Sequence, residues 1–193
     1  PKVSADGAVL MDGNSGEILY EKNMDAAYPP ASTTKLMTAL LTLENCKLND
    51  KVKTSDDFTK KYLALRDGNT INIGDGEEFT VHDLLYALLL ISANDAAVAL
   101  AEHISGSPEA FAKLMNKRAA ELGCTDTNFK NPNGLFDKDH KTSAKDLALI
   151  MRALSKNPEY KTISTTLNYE MAPTNKMDAA QTKNLGTSGM KIN

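Results

Sequence analysis

The sequence predicts an α/β fold of two interleaved lobes, a helical lobe over roughly residues 50–160 and an antiparallel sheet lobe contributed by the two chain ends. Three observations carry this reading. Near the N-terminus two apolar runs flank Asp12-Gly13-Asn14-Ser15-Gly16, a hairpin signal. The middle holds several segments with apolar residues at helical spacing. A strand-like piece at 163–171 follows the last of them. At 193 residues the chain suits one large domain or two small lobes and is long enough to bury a sizeable core without disulfide staples.

Taken in order, the hairpin places strands near 8–11 and 17–21, joined by the glycine-containing turn. From 32 to 44 the residues Leu36, Met37, Leu40, Leu41 and Leu43 recur at helical spacing, with Pro29 and Pro30 setting the chain before the helix begins. Residues 46–78 are polar and turn-rich, with short strands expected around "NTINIG". Next comes "TVHDLLYALLLISANDAAVALAEHIS", two apolar helical runs interrupted at 92–95. The first run, 84–91, is apolar on almost every face and is expected to be buried on all sides. A helix over about 108–122 has Ser107 as N-cap, Pro108 at its first position and Gly123 as its stop. Another, over about 144–155, starts from Ser143 with Asp146 three residues on, a weaker relative of the capping box, and ends at Asn157-Pro158. Between them lies the loop "GCTDTNFKNPNGLFDKDHKT", and loops of that length inside a compact domain are usually functional.

Composition excludes several classes of function. With 22 basic and 25 acidic side chains the net charge is −3, which gives no electrostatic footprint for nucleic acid or an anionic membrane surface. No run reaches the roughly 18 apolar residues of a membrane span, and no basic-then-apolar leader opens the chain, so an exported protein would already have lost its signal. Cys46 and Cys124 are either two free thiols or one bridge. The histidines His82, His103 and His140 are scattered, so neither a metal site nor a cofactor is expected.

Two short patterns carry chemistry. Ser32 and Lys35 stand three residues apart at the mouth of an apolar helix and so share a face. A serine hydroxyl needs a base to take its proton. Lysine serves only when neutral, about one part in two to three thousand at pH 7 for an unperturbed amine. Burial or a second cation has to lower its pKa, while the helix N-terminus offers free N–H groups to a developing oxyanion. The plainer reading makes Ser32 an N-cap beside an exposed lysine. For Ser92-Ala93-Asn94, at the seam of two buried helices, the plainer reading is a helix break with Asn94 or Asp95 capping the next helix. Spacing alone decides neither, since Ser188/Lys191 and Ser155/Asn157 echo both patterns elsewhere.

Five blocks in order, "LMDGNSGEILYEKN", "PASTTKLMTALLTLE", "LLISANDAAVALAEHISG", "NKRAAELGCTDTNFKNPNGL" and "HKTSAKDLALIMRAL", resemble the serine D-alanyl-D-alanine carboxypeptidases, the low-molecular-mass penicillin-binding proteins. The resemblance implies a β-lactamase/transpeptidase-like fold. It implies Ser32 as the acylated nucleophile, Lys35 as its base and Ser92 as a proton relay, with Asn94 holding substrate and orienting Lys35. The implied substrate is a peptidoglycan stem peptide ending in D-Ala-D-Ala, met outside the cytoplasm, with β-lactams trapped at the ester stage.

The family's third motif, Lys-Thr-Gly, has no full copy here. Lys53, Lys141 and Lys161 each precede a threonine, but none continues with glycine. Gly189-Met190-Lys191 is the counterpart favoured on order, which makes Lys191 the candidate for the substrate carboxylate. The fold is therefore expected to be incomplete at its C-terminal end, with the missing strand supplied by another fragment or chain. A non-catalytic remnant that binds cell-wall peptide or a partner protein is the alternative. A class A β-lactamase needs a glutamate in the long loop, and residues 123–142 offer only Asp126, Asp137 and Asp139.

Overall fold

The computed structural model describes residues 2–177 and 183–186. Strands β1 (Ala8–Met11) and β2 (Ile18–Lys22) form the expected hairpin, antiparallel with a bulge at Leu10/Met11. Its turn is held by the Asp12 carboxylate, which accepts from the N–H groups of Asn14 and Ser15. A 3-10 turn, Ala31–Thr34, then leads into α1 (Lys35–Asn45). Strand β3 (Lys51–Lys53), the single-turn α2 (Phe58–Lys61) and β4 (Glu78–Thr80) follow, with β3 and β4 antiparallel. The helical body is α3 (Val81–Leu90), α4 (Asn94–Ser105), α5 (Pro108–Glu121) and α6 (Ala144–Leu154). The chain continues through α7 (Pro158–Ser164) to β5 (Asn168–Met171) and β6 (Lys183–Gly186), a third antiparallel pair.

Helix α1 lies at the centre, against α3, α4, α5 and α6. Its Met37, Ala39, Leu40 and Leu41 are buried with Leu84, Leu85, Leu88, Leu100, Phe111 and Ile150 in one core. Nearly every side of α3 is buried, as its unbroken apolar run requires, and a Thr80/Asp83 capping box fixes its start. The two chain ends pack on different parts of this body. The β1–β2 hairpin sits on α6, where Arg152 donates to the Gly13 and Asn14 carbonyls. The β5–β6 pair sits on α3: Tyr169 stacks on Tyr86 with centroids 3.7 Å apart, and its hydroxyl donates to Asp83. Among the described residues the strands of the two ends are not hydrogen-bonded to each other.

Two local expectations are corrected. "NTINIG" joins no ladder, because the N–H groups of Ile71 and Ile73 go to the Asp95 carboxylate at 3.0–3.1 Å, and Asn72 between them is left-handed at φ +56°. The residue expected as a cap thus straps a whole segment onto the α3–α4 junction, and Ala93 is the N-cap of α4. Asn157-Pro158 was read only as a stop. The Asn157 side chain accepts from Glu159 and Tyr160 N–H and Pro158 takes the first helical position, so the same dipeptide opens α7, which takes the first two residues of the strand expected over 163–171 and leaves β5 to begin at Asn168.

Burial pushes the Asp95 carboxyl up while its backbone donors pull it down. Asp95→Ala removes the acceptor of two buried N–H groups, each worth about 1–3 kcal/mol when lost. The expected result is a fall in unfolding free energy of about 2–4 kcal/mol in urea. A change within about 0.5 kcal/mol, the usual scatter of surface substitutions, would remove Asp95 from this role.

Candidate active site

The chain reaches the site through Pro30, which is buried, and Ala31, whose φ of +47° is a left-handed conformation costly for alanine. This kink presents Ser32 on the exposed side of the 3-10 turn. Ser32 caps nothing: the N-caps of the turn and of α1 are Pro30 and Thr34, neither with a side-chain cap bond. Its hydroxyl instead meets Lys35 Nζ at 3.2 Å.

Lys35 is 3% exposed. Its amine donates to Asn94 Oδ1 at 2.8 Å and to the Asn133 carbonyl at 2.7 Å. Burial alone brings its pKa from the ordinary 10.5 down to about 8. At pH 7 the neutral fraction then rises from about one in three thousand to about one in ten, so the dry wall supplies most of the activation that spacing alone lacked. Of the two lowering effects expected from the sequence, the positive neighbour has no counterpart among the described residues.

The second pattern arrives where α3 gives way to α4. Ser92 has φ +60°, another left-handed non-glycine residue, and is half-buried. Among the described residues its hydroxyl makes no hydrogen bond to Ser32, Lys35 or Asn94. Asn94 is buried and does not cap; its amide faces Lys35 on one side and the Gly68 backbone on the other, where a Cβ would stand 2.4 Å from Nδ2. Its N–H donates to the Asn69 carbonyl at 2.7 Å, tying it to the strapped segment. Left-handed backbone at Ser92 and at Ala31, the neighbour of Ser32, is strain of the kind that collects at functional sites.

The long loop, residues 123–142, braces the same turn along its length. Tyr28 and Thr142 exchange backbone hydrogen bonds at 2.8 and 3.0 Å, and Thr38 Oγ1 donates to the Pro132 carbonyl at 2.6 Å. Lys130 N–H donates to His140 Nδ1, which assigns the ring proton to Nε2, 2.8 Å from Thr34 Oγ1; burial lowers the His140 pKa and keeps it neutral. Gly134, at φ +87°, lies so close to the Ala31 peptide that a Cβ would fall 1.8 Å from the Ala31 oxygen. Asn131 Oδ1 accepts from Gly134 N–H at 2.7 Å and holds this turn. At its far end the loop is pinned by Asp146, whose carboxylate takes Thr125 and Asp126 N–H rather than closing a capping box with Ser143. Asp126, Asp137 and Asp139 make no bond to Ser32 or Lys35 among the described residues.

Ser32, Lys35 and Asn94 are therefore one hydrogen-bonded cluster, and Ser92 is not bonded into it among the described residues. The Asn133 carbonyl is a further member; the sequence points to Asn131, Asn133 and His140 as residues that shape the cleft or the loop, but not to this main-chain contact. Lys191 lies outside the described residues. Cys46 and Cys124 are both free thiols.

A serine on the turn before α1 thus faces a buried lysine that an asparagine from the α3–α4 junction also holds, the geometry a nucleophile and its base require. The chain belongs to the D-alanyl-D-alanine carboxypeptidase family of S11 peptidases, whose family model matches residues 1–192. It is 45% identical over 157 residues to the D-alanyl-D-alanine carboxypeptidase DacF of Bacillus subtilis, covering 79% of this chain and 39% of that protein. It is 36% identical to DacC of Escherichia coli, covering 99% of this chain and 50% of that one. Penicillin-binding protein 5 of Haemophilus influenzae superposes with a TM-score of 0.82 at 32% identity, over 97% of this chain and 53% of that one. The Streptomyces K15 DD-transpeptidase superposes with a TM-score of 0.86 at 28% identity, over 96% and 74%. The fold is thus the α/β fold of the penicillin-binding DD-peptidases. The chain spans about half the length of the curated relatives, 39% and 50% of the two named.

Proposed function

We propose that this chain carries the acylating half of a serine D-alanyl-D-alanine carboxypeptidase, which removes the terminal D-alanine from peptidoglycan stem peptides. The observation that carries the reading is the set of partners around Lys35. Asn94 Oδ1 and the Asn133 carbonyl can only accept, so together they occupy two N–H bonds of the amine. A neutral amine has two N–H bonds and one lone pair, and the lone pair is left for the third partner, the Ser32 hydroxyl.

In this mechanism Lys35 takes the hydroxyl proton as Ser32 Oγ attacks the carbonyl carbon of the penultimate D-alanine. Negative charge develops on the carbonyl oxygen, and the N–H of Ser32 itself is the donor assigned to it, since those of Thr33 and Lys35 are already bonded to the Pro30 and Ser32 carbonyls. The C–N bond breaks as the proton passes by way of Ser92 to the leaving amine, giving free D-alanine and an ester on Ser32. Water then hydrolyses the ester. A β-lactam amide follows the same first step, its ring opens, and the adduct persists. Asn94 holds the substrate backbone, and Lys191 would meet the terminal carboxylate. Such a substrate places the enzyme outside the cytoplasm; no helix among the described residues is long and apolar enough to cross a membrane.

Incubation with a fluorescent penicillin tests the reading. Wild-type protein is expected to label covalently and Ser32→Ala not at all, with D-alanine released from a short peptide ending in D-Ala-D-Ala. A folded sample that takes up no label would instead support a non-catalytic chain that binds cell-wall peptide.

A further inference from the structure

A cluster at the opposite end of α1 is unused by this chemistry. Cys46 follows the last residue of α1, Asp50 lies in the turn beyond it, and His103 sits in the last turn of α4. One ligand atom from each, the Cys46 sulfur, an Asp50 carboxylate oxygen and a His103 ring nitrogen, lies within 4.8 Å of the others. No metal motif is visible in the sequence because the third ligand comes from another helix, more than fifty positions away.

We propose that Cys46, Asp50 and His103 bind a borderline-soft divalent metal ion of the Zn²⁺ type, with water as the fourth ligand. Thiolate, imidazole and carboxylate are the ligand set that such an ion takes, and three protein ligands leave one open position. In a tetrahedral shell the ligand atoms stand roughly 3.5 Å apart. The three atoms lie within 4.8 Å of one another, and the exposed His103 side chain, which makes no hydrogen bond among the described residues, can rotate toward the other two.

The surroundings favour a cation independently of the ligands. The C-terminal ends of two helices of 11 and 12 residues meet here, and each carries partial negative charge. Asp50 is already oriented: Oδ2 accepts from Lys47 N–H at 2.8 Å, and its carbonyl accepts from Val81 N–H at 3.0 Å. That support is what a metal-ligating carboxylate needs from its own hydrogen bonds. Cys124 provides an internal control. Burial and Asp146 push its pKa up to about 12, and its thiol donates to the Asp146 carbonyl.

The site sits fourteen residues, about 21 Å, along the helix from Ser32, so an ion there ties the end of the nucleophile helix to α4 without entering the cleft. Titration of the whole chain with Co²⁺ tests the proposal by the thiolate-to-cobalt absorption band. One equivalent is expected to bind, Zn²⁺ is expected to displace it, and Zn²⁺ is expected to protect Cys46 but not Cys124 from alkylation. Cys124→Ser keeps the band and Cys46→Ser loses it. His103→Ala and Asp50→Asn weaken binding at least about tenfold, with circular dichroism confirming that each variant is folded. Absence of the band in folded wild-type protein, or its survival in Cys46→Ser, overturns the assignment.

Discussion

Lys35→Met is expected to slow acylation of Ser32 by a β-lactam by about 10²–10⁴-fold, the usual contribution of a positioned general base. Methionine fills nearly the same volume with no amine. The Asn94 and Asn133 oxygens lose their donor, a cost of about 1–3 kcal/mol for each buried group. Against this, the variant no longer holds an amine whose pKa burial has lowered to about 8, and removing that strain offsets part of the loss. Stability and rate therefore separate: a modest shift in the urea midpoint with a large loss of labelling rate. A time course with fluorescent penicillin beside a urea melt reads both. A Lys35→Met protein that acylates at the wild-type rate would remove Lys35 from the chemistry.

Gly134→Ala is expected to do comparable damage from outside the cleft. The added Cβ falls 1.8 Å from the Ala31 oxygen, 2.4 Å from its carbonyl carbon and 3.0 Å from Ser32 N, and these are backbone atoms that cannot swing aside. At φ +87° an alanine also carries the left-handed cost of about 1–2 kcal/mol. Either the Asn131–Gly134 turn lifts away, taking the Asn133 carbonyl from Lys35, or the Ala31–Ser32 peptide shifts. A displacement of about 1 Å at a reacting group costs about 10²-fold, so the labelling rate should fall by that order and the melting temperature with it. Gly13→Ala, where a Cβ meets nothing within 4 Å, is the matched control and should change neither. Equal behaviour of the two variants would mean that the loop does not brace the nucleophile turn.

The parts of the site legible in the sequence are those set by local geometry. Ser32 and Lys35 share a helix face whatever the rest of the fold does, and an asparagine just past an apolar helix marks a junction wherever it packs. The Asn133 carbonyl was not legible, because a main-chain oxygen has no residue type to announce it; only the fold brings it to Lys35. Gly134 reads in the sequence as an ordinary turn glycine, and its closeness to Ala31 is a contact between segments a hundred positions apart. The same limit hid the role of Asp95: its side chain reaches backward to Ile71 and Ile73, and propensity made those residues a strand. At Asn157-Pro158 the signal itself was ambiguous, since the pair that ends one helix is also a good start for the next. The metal cluster combines both difficulties, two ligands in one turn and the third on a separate helix.

The central claim is that burial makes Lys35 a base near neutral pH. The pH dependence of Ser32 acylation tests it most directly, measured as second-order labelling by a penicillin from pH 5.5 to 9.5. Because the neutral amine is the active form, the rate should rise about tenfold for each pH unit, bend near pH 8 and then level off. His140, whose pKa is lowered from 6.5, cannot produce a bend there. The limb should vanish in Lys35→Met, leaving a slow, nearly flat profile. A wild-type rate that is flat across this range, or a limb near pH 8 that survives in Lys35→Met, would contradict the assignment of Lys35 as the base.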